Sequence, residues 1–253
     1  MSTAPGSTQH RSTLRVLSVL EVLSNSDKGL TMAGICRELS APKSSLFPII
    51  HTMAEEGYIS FDEETTRYRI GFKTYLAGKA YARGQDTVNI LTEELRRIVD
   101  ACGETAQAGI LSGNKALYIA KVDSPQPVRL ISDIGRALPV YCTAIGKALV
   151  SQMDLDELHG LVGDEFHAYT TRTFRTFDAF WSEMQAVRED GIAYDRGEMT
   201  DAIECMAVPV CVEGEVRYGV GVSVPSYRLT QEKGVELAAL LQKARTHLEA
   251  VLS

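Results

Sequence analysis

The first 70 residues carry a helical repeat of apolar side chains, interrupted by short polar breaks, and then change to a strand-like repeat. Apolar side chains three, four and seven residues apart lie on one face of a helix, so this spacing predicts three helices. Residues 58–61 and 67–70 follow a period of two on either side of a polar loop, which predicts a β-hairpin. The three helical sets are Val16, Val19, Leu20 and Leu23; Met32, Ile35, Cys36 and Leu39; and Leu46, Ile49, Ile50 and Met53.

Local signals place the helix starts. Thr31 is a good N-cap for the second helix, and Pro42 suits the first position of the third. Three short helices followed by a hairpin are typical of a winged helix-turn-helix, whose third helix enters the DNA major groove while the hairpin lies along the backbone. A small helical domain used for protein contacts is the alternative. The side chains expected at DNA are Thr31, Lys43, Ser44, Ser45, Phe47, His51, Arg67 and Arg69.

The wing arginines and the third helix need further comment. Arg67 and Arg69 are expected at phosphates, and Phe47 either touches a thymine methyl group or packs as a partly buried core aromatic. Pro48 lies inside the third helix, where proline removes a backbone hydrogen bond and costs about 3 kcal/mol or more. The helix is therefore expected to kink or end at Pro48.

The rest of the chain mixes both periods. The apolar spacing predicts helices over residues 71–85 and 91–102, the first with Lys73, Lys79 and Arg83 on its polar side. Strands are predicted at 105–111, 116–122, 128–132, 206–212 and 216–224, and helices at 143–152, 154–162, 178–190 and 231–252. The result is an α/β domain built on an antiparallel sheet.

Charge separates the two parts. The chain has 253 residues, with 33 acidic and 26 basic side chains. Residues 1–84 hold 10 basic and 8 acidic side chains, whereas residues 85–253 hold 16 and 25. The overall charge argues against a protein that coats nucleic acid, and the split predicts two parts with different partners. With no apolar run near the ~20 residues of a membrane span and no signal-peptide core, a cytoplasmic protein without a membrane partner is expected.

Three segments of the second part are candidates for chemistry. Residues 138–147 end a loop and open a helix capped by Thr143, where free amides favour a carboxylate, although an ordinary capped helix is the alternative. Acids at 195, 198, 201 and 204 either hold a hard cation or are merely solvated. Glycines in the strand 219–225 predict a close approach by backbone or by a ligand.

Enzymatic activity is not expected. Five cysteines, an odd number without a C-x-x-C pair, favour reduced thiols over a disulfide framework or a zinc site. Cys142 or Cys205 as a nucleophile would need a histidine base, and neither His159 nor His167 lies in a recognisable catalytic context. No catalytic residue, cofactor or bound metal is predicted.

The motifs resemble the IclR family of bacterial transcriptional regulators. They are Gly29-Leu30-Thr31, Leu39-Ser40-Ala41-Pro42-Lys43-Ser44-Ser45, Glu55-Glu56-Gly57-Tyr58, Arg67-Tyr68-Arg69-Ile70-Gly71, residues 138–147 and residues 204–209. The resemblance implies an α+β protein with a winged helix-turn-helix (1–71), a linker helix (72–87) and a GAF-like effector-binding domain (88–253). It also implies double-stranded operator DNA and a small effector, an organic carboxylate or aromatic acid, as partners of a homodimer or homotetramer. A sensor that acts through protein partners without specific DNA binding remains the alternative.

The resemblance also implies the effector site. Gly221 stands where many members have serine and Gly197 where an acid is common, so the polar lining is expected to be thinner and the effector richer in apolar surface. Carried over position by position, the site residues are Ala144, Ile145, Asp195, Cys205, Gly221 and Ser223.

Overall fold

A computed structural model describes residues 10–83, 86–129 and 133–253. The chain divides into two compact units, Met1–Gln85 and Asp86–Ser253. Each unit has its own hydrophobic core and is described by itself. No helix in the described ranges is both long enough and apolar enough to cross a membrane.

The first unit is a winged helix-turn-helix, as the periodicity predicts. Its helices pack around Val19, Ile35, Leu46 and Ile50, all fully buried. The two wing strands pair antiparallel, with Ile59 opposite Ile70. In chain order the elements are α1 (Arg11–Ser24), α2 (Met32–Glu38), α3 (Lys43–Glu55), β1 (Ile59–Asp62), β2 (Arg67–Ile70) and α4 (Phe72–Arg83).

Pro48 does not end α3, contrary to the expectation of an end there. The helix begins at Lys43, with Pro42 as its N-cap rather than its first residue, and continues through Pro48 to Glu55. The proline removes only the bond to the carbonyl of Ser44, and Ser44 is exposed, which lowers the cost of losing that bond. The buried residues on either side hold the helix against the core.

The second unit is a six-stranded antiparallel sheet covered on both faces by helices. The strand order is β5-β4-β3-β8-β7-β6. Helices α5 and α9 pack on one face, and α6, α7 and α8 enclose a second core on the other. The bounds are α5 (Asp86–Cys102), β3 (Thr105–Ser112), β4 (Lys115–Val122), β5 (Ala137–Pro139), α6 (Ala144–Leu149), α7 (Leu155–Val162), α8 (Phe177–Asp190), β6 (Ala193–Asp195), β7 (Ile203–Val212), β8 (Glu215–Pro225) and α9 (Gln231–Leu252).

The α+β fold class is thus confirmed, and some elements differ from expectation. The strand predicted at 128–132 is wrong for Val128 and Arg129, which lie outside any strand, while 130–132 fall outside the described residues. The edge strands β5 and β6 were not predicted, because three residues are too few to show a period of two. The helix predicted over 143–152 is only the six residues of α6.

Candidate functional site

A small cavity lies between α6 and the sheet of the second unit, and its volume is about 50 Å³. The structure brings all six expected effector-site residues together around this cavity: Ala144, Ile145, Asp195, Cys205, Gly221 and Ser223. Residues that the sequence did not single out as site residues line it too, among them Gln107, Tyr118, Arg136, Leu138, Thr143, Met199 and Ile203. The cavity therefore has both apolar walls and several polar groups.

Glycines allow close packing around α6. A Cβ atom at Gly219 would stand 2.9 Å from the carbonyl oxygen of Ile145, and one at Gly146 would stand 2.5 Å from Thr143 Oγ1. Real Cβ atoms are not found so close to their neighbours, so a side chain at Gly219 would push α6 away from the sheet, and one at Gly146 would displace the turn that precedes α6. The close approach predicted from the glycines of the strand is therefore an approach by backbone at Gly219.

The start of α6 forms one wall of the cavity. Thr143 Oγ1 accepts a hydrogen bond from the amide of Gly146 at 3.2 Å, which confirms Thr143 as the cap. The amides of Ala144 and Ile145 occupy the first helical positions, where a helix supplies no intrahelical acceptor. With six residues α6 has only a small dipole, so these N–H groups act as local donors.

A chain of polar groups crosses the cavity floor. The Ser223 hydroxyl donates to Gln107 Oε1 at 3.2 Å and lies 3.3 Å from the sulfur of Cys205. Oδ1 of the buried Asp195 accepts hydrogen bonds from the amides of Glu198 at 2.6 Å and Met199 at 3.4 Å. Burial raises the pKa of Asp195, and these amide donors together with the nearby Lys147 oppose that rise.

Beside the cavity lies a buried ion pair that the sequence analysis missed. Lys147 is fully buried, and its Nζ lies 2.6 Å from Glu198 Oε2 and 2.6 Å from the carbonyl oxygen of Tyr194. The same ammonium lies 4.8 Å from the ring centre of Phe174. Burial raises the pKa of Glu198 to about 7, although the charge of Lys147 works against this rise. The only sequence signal was a lysine inside an apolar helix, with acids following at 195 and 198.

The acids at 195 and 198 are neither a cation site nor solvated. Both are buried, and Glu198 is neutralised by Lys147. Within the described ranges, no three histidine, cysteine or acidic side chains are grouped as metal ligands. The expected alternatives were therefore both wrong for these two acids, because the pairing lysine comes from a distant helix.

Tyr118 and Arg136 are among the cavity residues that were not expected from the sequence. Tyr118 lies on the cavity side of β4, and Arg136 immediately precedes β5. For Tyr118 the available signal was its inward position in the alternation of the predicted strand 116–122. For Arg136 it was the position just ahead of the segment 138–147.

The two glycines that depart from the family pattern have local reasons. At Gly221 a Cβ atom would stand 2.5 Å from Met206 O and 2.8 Å from Ala207 Cβ on the neighbouring strand. Gly197 has a φ of +83°, which favours glycine. The polar lining is nevertheless not thin, since Gln107, Tyr118 and Arg136 contribute to it.

The cysteines near the cavity are not activated. Burial raises the pKa of Cys142 to about 12 and also raises the pKa of Cys205. Both thiols are therefore protonated at neutral pH, which makes them poor nucleophiles.

In the first unit, the exposed face of α3 carries most of the expected DNA contacts. Lys43, Ser44, Phe47 and His51 are exposed, and Phe47 is 47% accessible, so it is not a core aromatic. The ring centres of Phe47 and His51 are 5.9 Å apart. Ser45 instead donates its hydroxyl hydrogen to the carbonyl of Pro42 at 2.8 Å.

The remaining residues expected at DNA differ in whether their side chains already have hydrogen-bond partners within the unit. Arg67 donates from Nη1 to the carbonyl of Gly29 at 2.7 Å, so this arginine ties the wing to the turn before α2. Arg69 is exposed. The Thr31 hydroxyl accepts from the amide of Gly34 at 3.2 Å and serves as the predicted cap.

The wing tip has acidic character. Asp62 accepts hydrogen bonds from the amides of Glu64 and Thr65, both at 3.0 Å, and these donors lower its pKa. The neighbouring Glu63 and Glu64 are exposed. Three carboxylates repel phosphate, so the base of the wing at Arg69 is better suited to DNA than the tip.

Comparison with known proteins gives consistent results for both units. The family model for the IclR helix-turn-helix domain matches residues 12–63, and the model described as "Bacterial transcriptional regulator IclR C-terminal" matches residues 79–250. HTH-type transcriptional regulator KdgR of Escherichia coli is 30% identical over 241 residues, covering 94% of this chain and 91% of KdgR.

Solved structures share the fold. The IclR transcriptional regulator of Alicyclobacillus acidocaldarius aligns with a TM-score of 0.88 and 23% identity, covering 97% of this chain and all of that one. An IclR homolog from Microbacterium hydrocarbonoxydans complexed with 4-hydroxybenzoate aligns with a TM-score of 0.82 and 18% identity, covering 95% of this chain and 98% of that one. The chain therefore belongs to the IclR family of bacterial transcriptional regulators, DNA-binding proteins with a C-terminal ligand-binding domain and not enzymes.

Proposed function

We propose that this regulator responds to a small organic acid bound in the cavity beside α6, and that binding of the acid changes the affinity of the protein for operator DNA. One observation carries the proposal: the six residues implied by the family resemblance line a single cavity. The amides at the start of α6 are local donors suited to an acceptor oxygen of such a ligand. Binding of 4-hydroxybenzoate by a protein of the same fold supports the same class of ligand.

On the DNA side, α3 enters the major groove and Arg69 binds a phosphate. Ser44, Phe47 and His51 follow one another at helical spacing along the exposed face of α3, so they meet the same stretch of base edges. Operators read by such domains are palindromic, because two copies related by a two-fold axis read two half-sites. The protein accordingly works as a homodimer or homotetramer.

The effector acts by shifting an equilibrium between two arrangements of the DNA-binding domains. It can shift that equilibrium only by the ratio of its affinities for the two states. The helix after the wing, α4, directly precedes the second unit in the chain order and is the proposed linker. A cavity-filling substitution at Ala144 should therefore abolish the response to effector and leave DNA binding intact.

The DNA half is tested by a gel shift with salt titration on the intergenic DNA beside the gene for this protein. Arg69→Ala should weaken binding and reduce the slope of log K against log salt by about 1. Lys243→Ala, which removes an exposed charge from α9, is the matched control and should change neither. If the wild-type protein shows no specific binding at any salt concentration, the DNA half is refuted and a sensor that acts through protein partners is favoured.

The effector half uses the same DNA with a panel of small carboxylic acids. At least one acid should release the wild-type protein, while Ala144→Leu should bind DNA and resist release. Light scattering of the free protein gives the oligomeric state. If no acid binds the purified protein, the organic-acid proposal is refuted, whatever the DNA result.

A further inference from the structure

The hydroxyl of Tyr118 opens on the cavity and has no hydrogen-bond partner in the described part of the chain. Tyr118 is 8% exposed and lines the cavity, and its side chain has no hydrogen bond to another described residue. Its electrostatic neighbours include the Asp195 carboxylate and the Arg136 guanidinium, so the hydroxyl lies among the polar groups of the cavity. Polar groups at a cavity are hydrogen-bonded to protein, water or ligand, so this phenol is available to a ligand atom.

Opposite charges border the cavity from the two edges of the sheet. Arg136 precedes β5 and Asp195 ends β6, and these two strands are the outermost of the six. Both residues nevertheless line the same cavity, so the sheet is curled around it. The guanidinium of Arg136 forms no ion pair with another residue of the described ranges, and it is therefore available to an anion.

We propose that the cavity selects a short aliphatic hydroxy acid, whose carboxylate is bound by Arg136 and the Tyr118 hydroxyl and whose own hydroxyl donates to Asp195. This inference rests on the proposed function and narrows its ligand class. A carboxylate beside Asp195 would be repelled, whereas an alcohol hydroxyl supplies the donor that Asp195 can accept. Burial raises the pKa of Tyr118, so its hydroxyl keeps the proton that it donates.

The size of the cavity limits the carbon chain. A water molecule needs about 10–15 Å³ of such space, so a cavity of about 50 Å³ holds the equivalent of about four waters. Lactate and glycerate are of this size. A benzoate ring is larger than this space, so it fits only if the ring extends out of the cavity or the walls move apart.

The test uses the full-length protein and measures affinities by calorimetry. The probes are lactate and glycerate, with propionate lacking the hydroxyl, glycerol lacking the carboxylate, and benzoate and 4-hydroxybenzoate as aromatic acids. Lactate or glycerate should bind at least tenfold more tightly than propionate or glycerol, because each analogue leaves a buried polar group unpaired.

Tyr118→Phe removes only the hydroxyl oxygen. It should weaken hydroxy-acid binding about tenfold to a hundredfold, the effect of losing a hydrogen bond to a charged group. The melting temperature of the free variant should not fall, since that hydroxyl has no partner in the described chain; a merely structural tyrosine would lower it. Tyr141→Phe is the control, because Tyr141 donates to the carbonyl of His167 at 3.0 Å. That variant should lose stability and keep its affinity.

The outcomes separate this inference from the proposed function. If the wild-type protein prefers hydroxy acids and Tyr118→Phe weakens their binding, the result supports both this inference and the proposed function. Binding of an aromatic acid in place of lactate or glycerate, or hydroxy-acid binding unchanged by Tyr118→Phe, overturns the inference and leaves the proposed function standing. If no acid binds while specific DNA binding persists, the inference fails together with the effector half of the proposed function.

Discussion

Replacing Lys147 by methionine tests the buried ion pair beside the cavity. Methionine keeps the apolar stem and removes the ammonium. Glu198, whose side chain is 5% exposed, then loses the cation 2.6 Å away, and the carbonyl oxygen of Tyr194 loses its donor. Breaking a buried pair from one side costs about 3–5 kcal/mol, because the carboxyl that stays behind is either charged without a partner or must take up a proton. For a domain of this size that corresponds to a fall in melting temperature of about 6–20 °C.

The assay is urea unfolding of the single variants, of the double variant Lys147→Met with Glu198→Leu, and of Lys243→Met as a surface control. The control should change stability by less than about 0.5 kcal/mol, since Lys243 is exposed. The double variant should be more stable than Lys147→Met alone, because no charge is left buried without a partner. A loss below about 1 kcal/mol for Lys147→Met, or a double variant whose loss is the sum of the two singles, would refute this reasoning.

Two further predictions concern the second unit. Glu104→Gln should lower stability by about 3 kcal/mol at pH 7, because the buried carboxylate binds both Arg228 and Lys233. Burial disfavours the Glu104 anion, yet the two cations hold its pKa below 4.5, so this stabilisation exists above that pH and is lost as pH falls through the lowered pKa. Urea unfolding at pH 7 and pH 3 should therefore show a smaller difference between wild type and variant at pH 3. Gly146→Ala should cost about 1–3 kcal/mol by overpacking, whereas Gly160→Ala, a helical glycine with open space around it, should stabilise by up to about 1 kcal/mol. Equal thermal shifts for the two alanine variants would contradict the packing argument.

Long periodic segments were the easiest to predict. The helix expected at 231–252 is Gln231–Leu252, because an uninterrupted apolar stripe fixes both its type and its length. The third helix was more difficult at Pro48, where local propensity opposed the tertiary packing that keeps α3 intact. Strands of three residues, such as β5 and β6, leave no pattern to detect.

The cavity was only partly predictable. Four of its six implied residues are brought together by strand register, since Asp195 and Ser223 both pair with Cys205 and Gly221 pairs with Gln107 across neighbouring strands. Ala144 and Ile145 lie on α6 instead. The role of Lys147 could not be derived in the same way, because its partners Tyr194 and Glu198 lie far along the chain, Tyr194 47 residues further on. Tyr118 likewise looked like an ordinary inward residue of a strand until the absence of a partner for its hydroxyl was visible.

The close packing of α6 limits how this cavity can change during evolution or redesign. Gly219 fixes the close separation between α6 and its strand, and Gly146 fixes the packing of α6 on the turn before it, so enlarging the cavity in that direction would require the helix to leave the sheet. The short edge strands β5 and β6 are held by few backbone bonds and tolerate substitution more easily. A search for altered effector specificity should therefore randomise Arg136, Leu138 and Met199 at the two edges and leave the glycines unchanged.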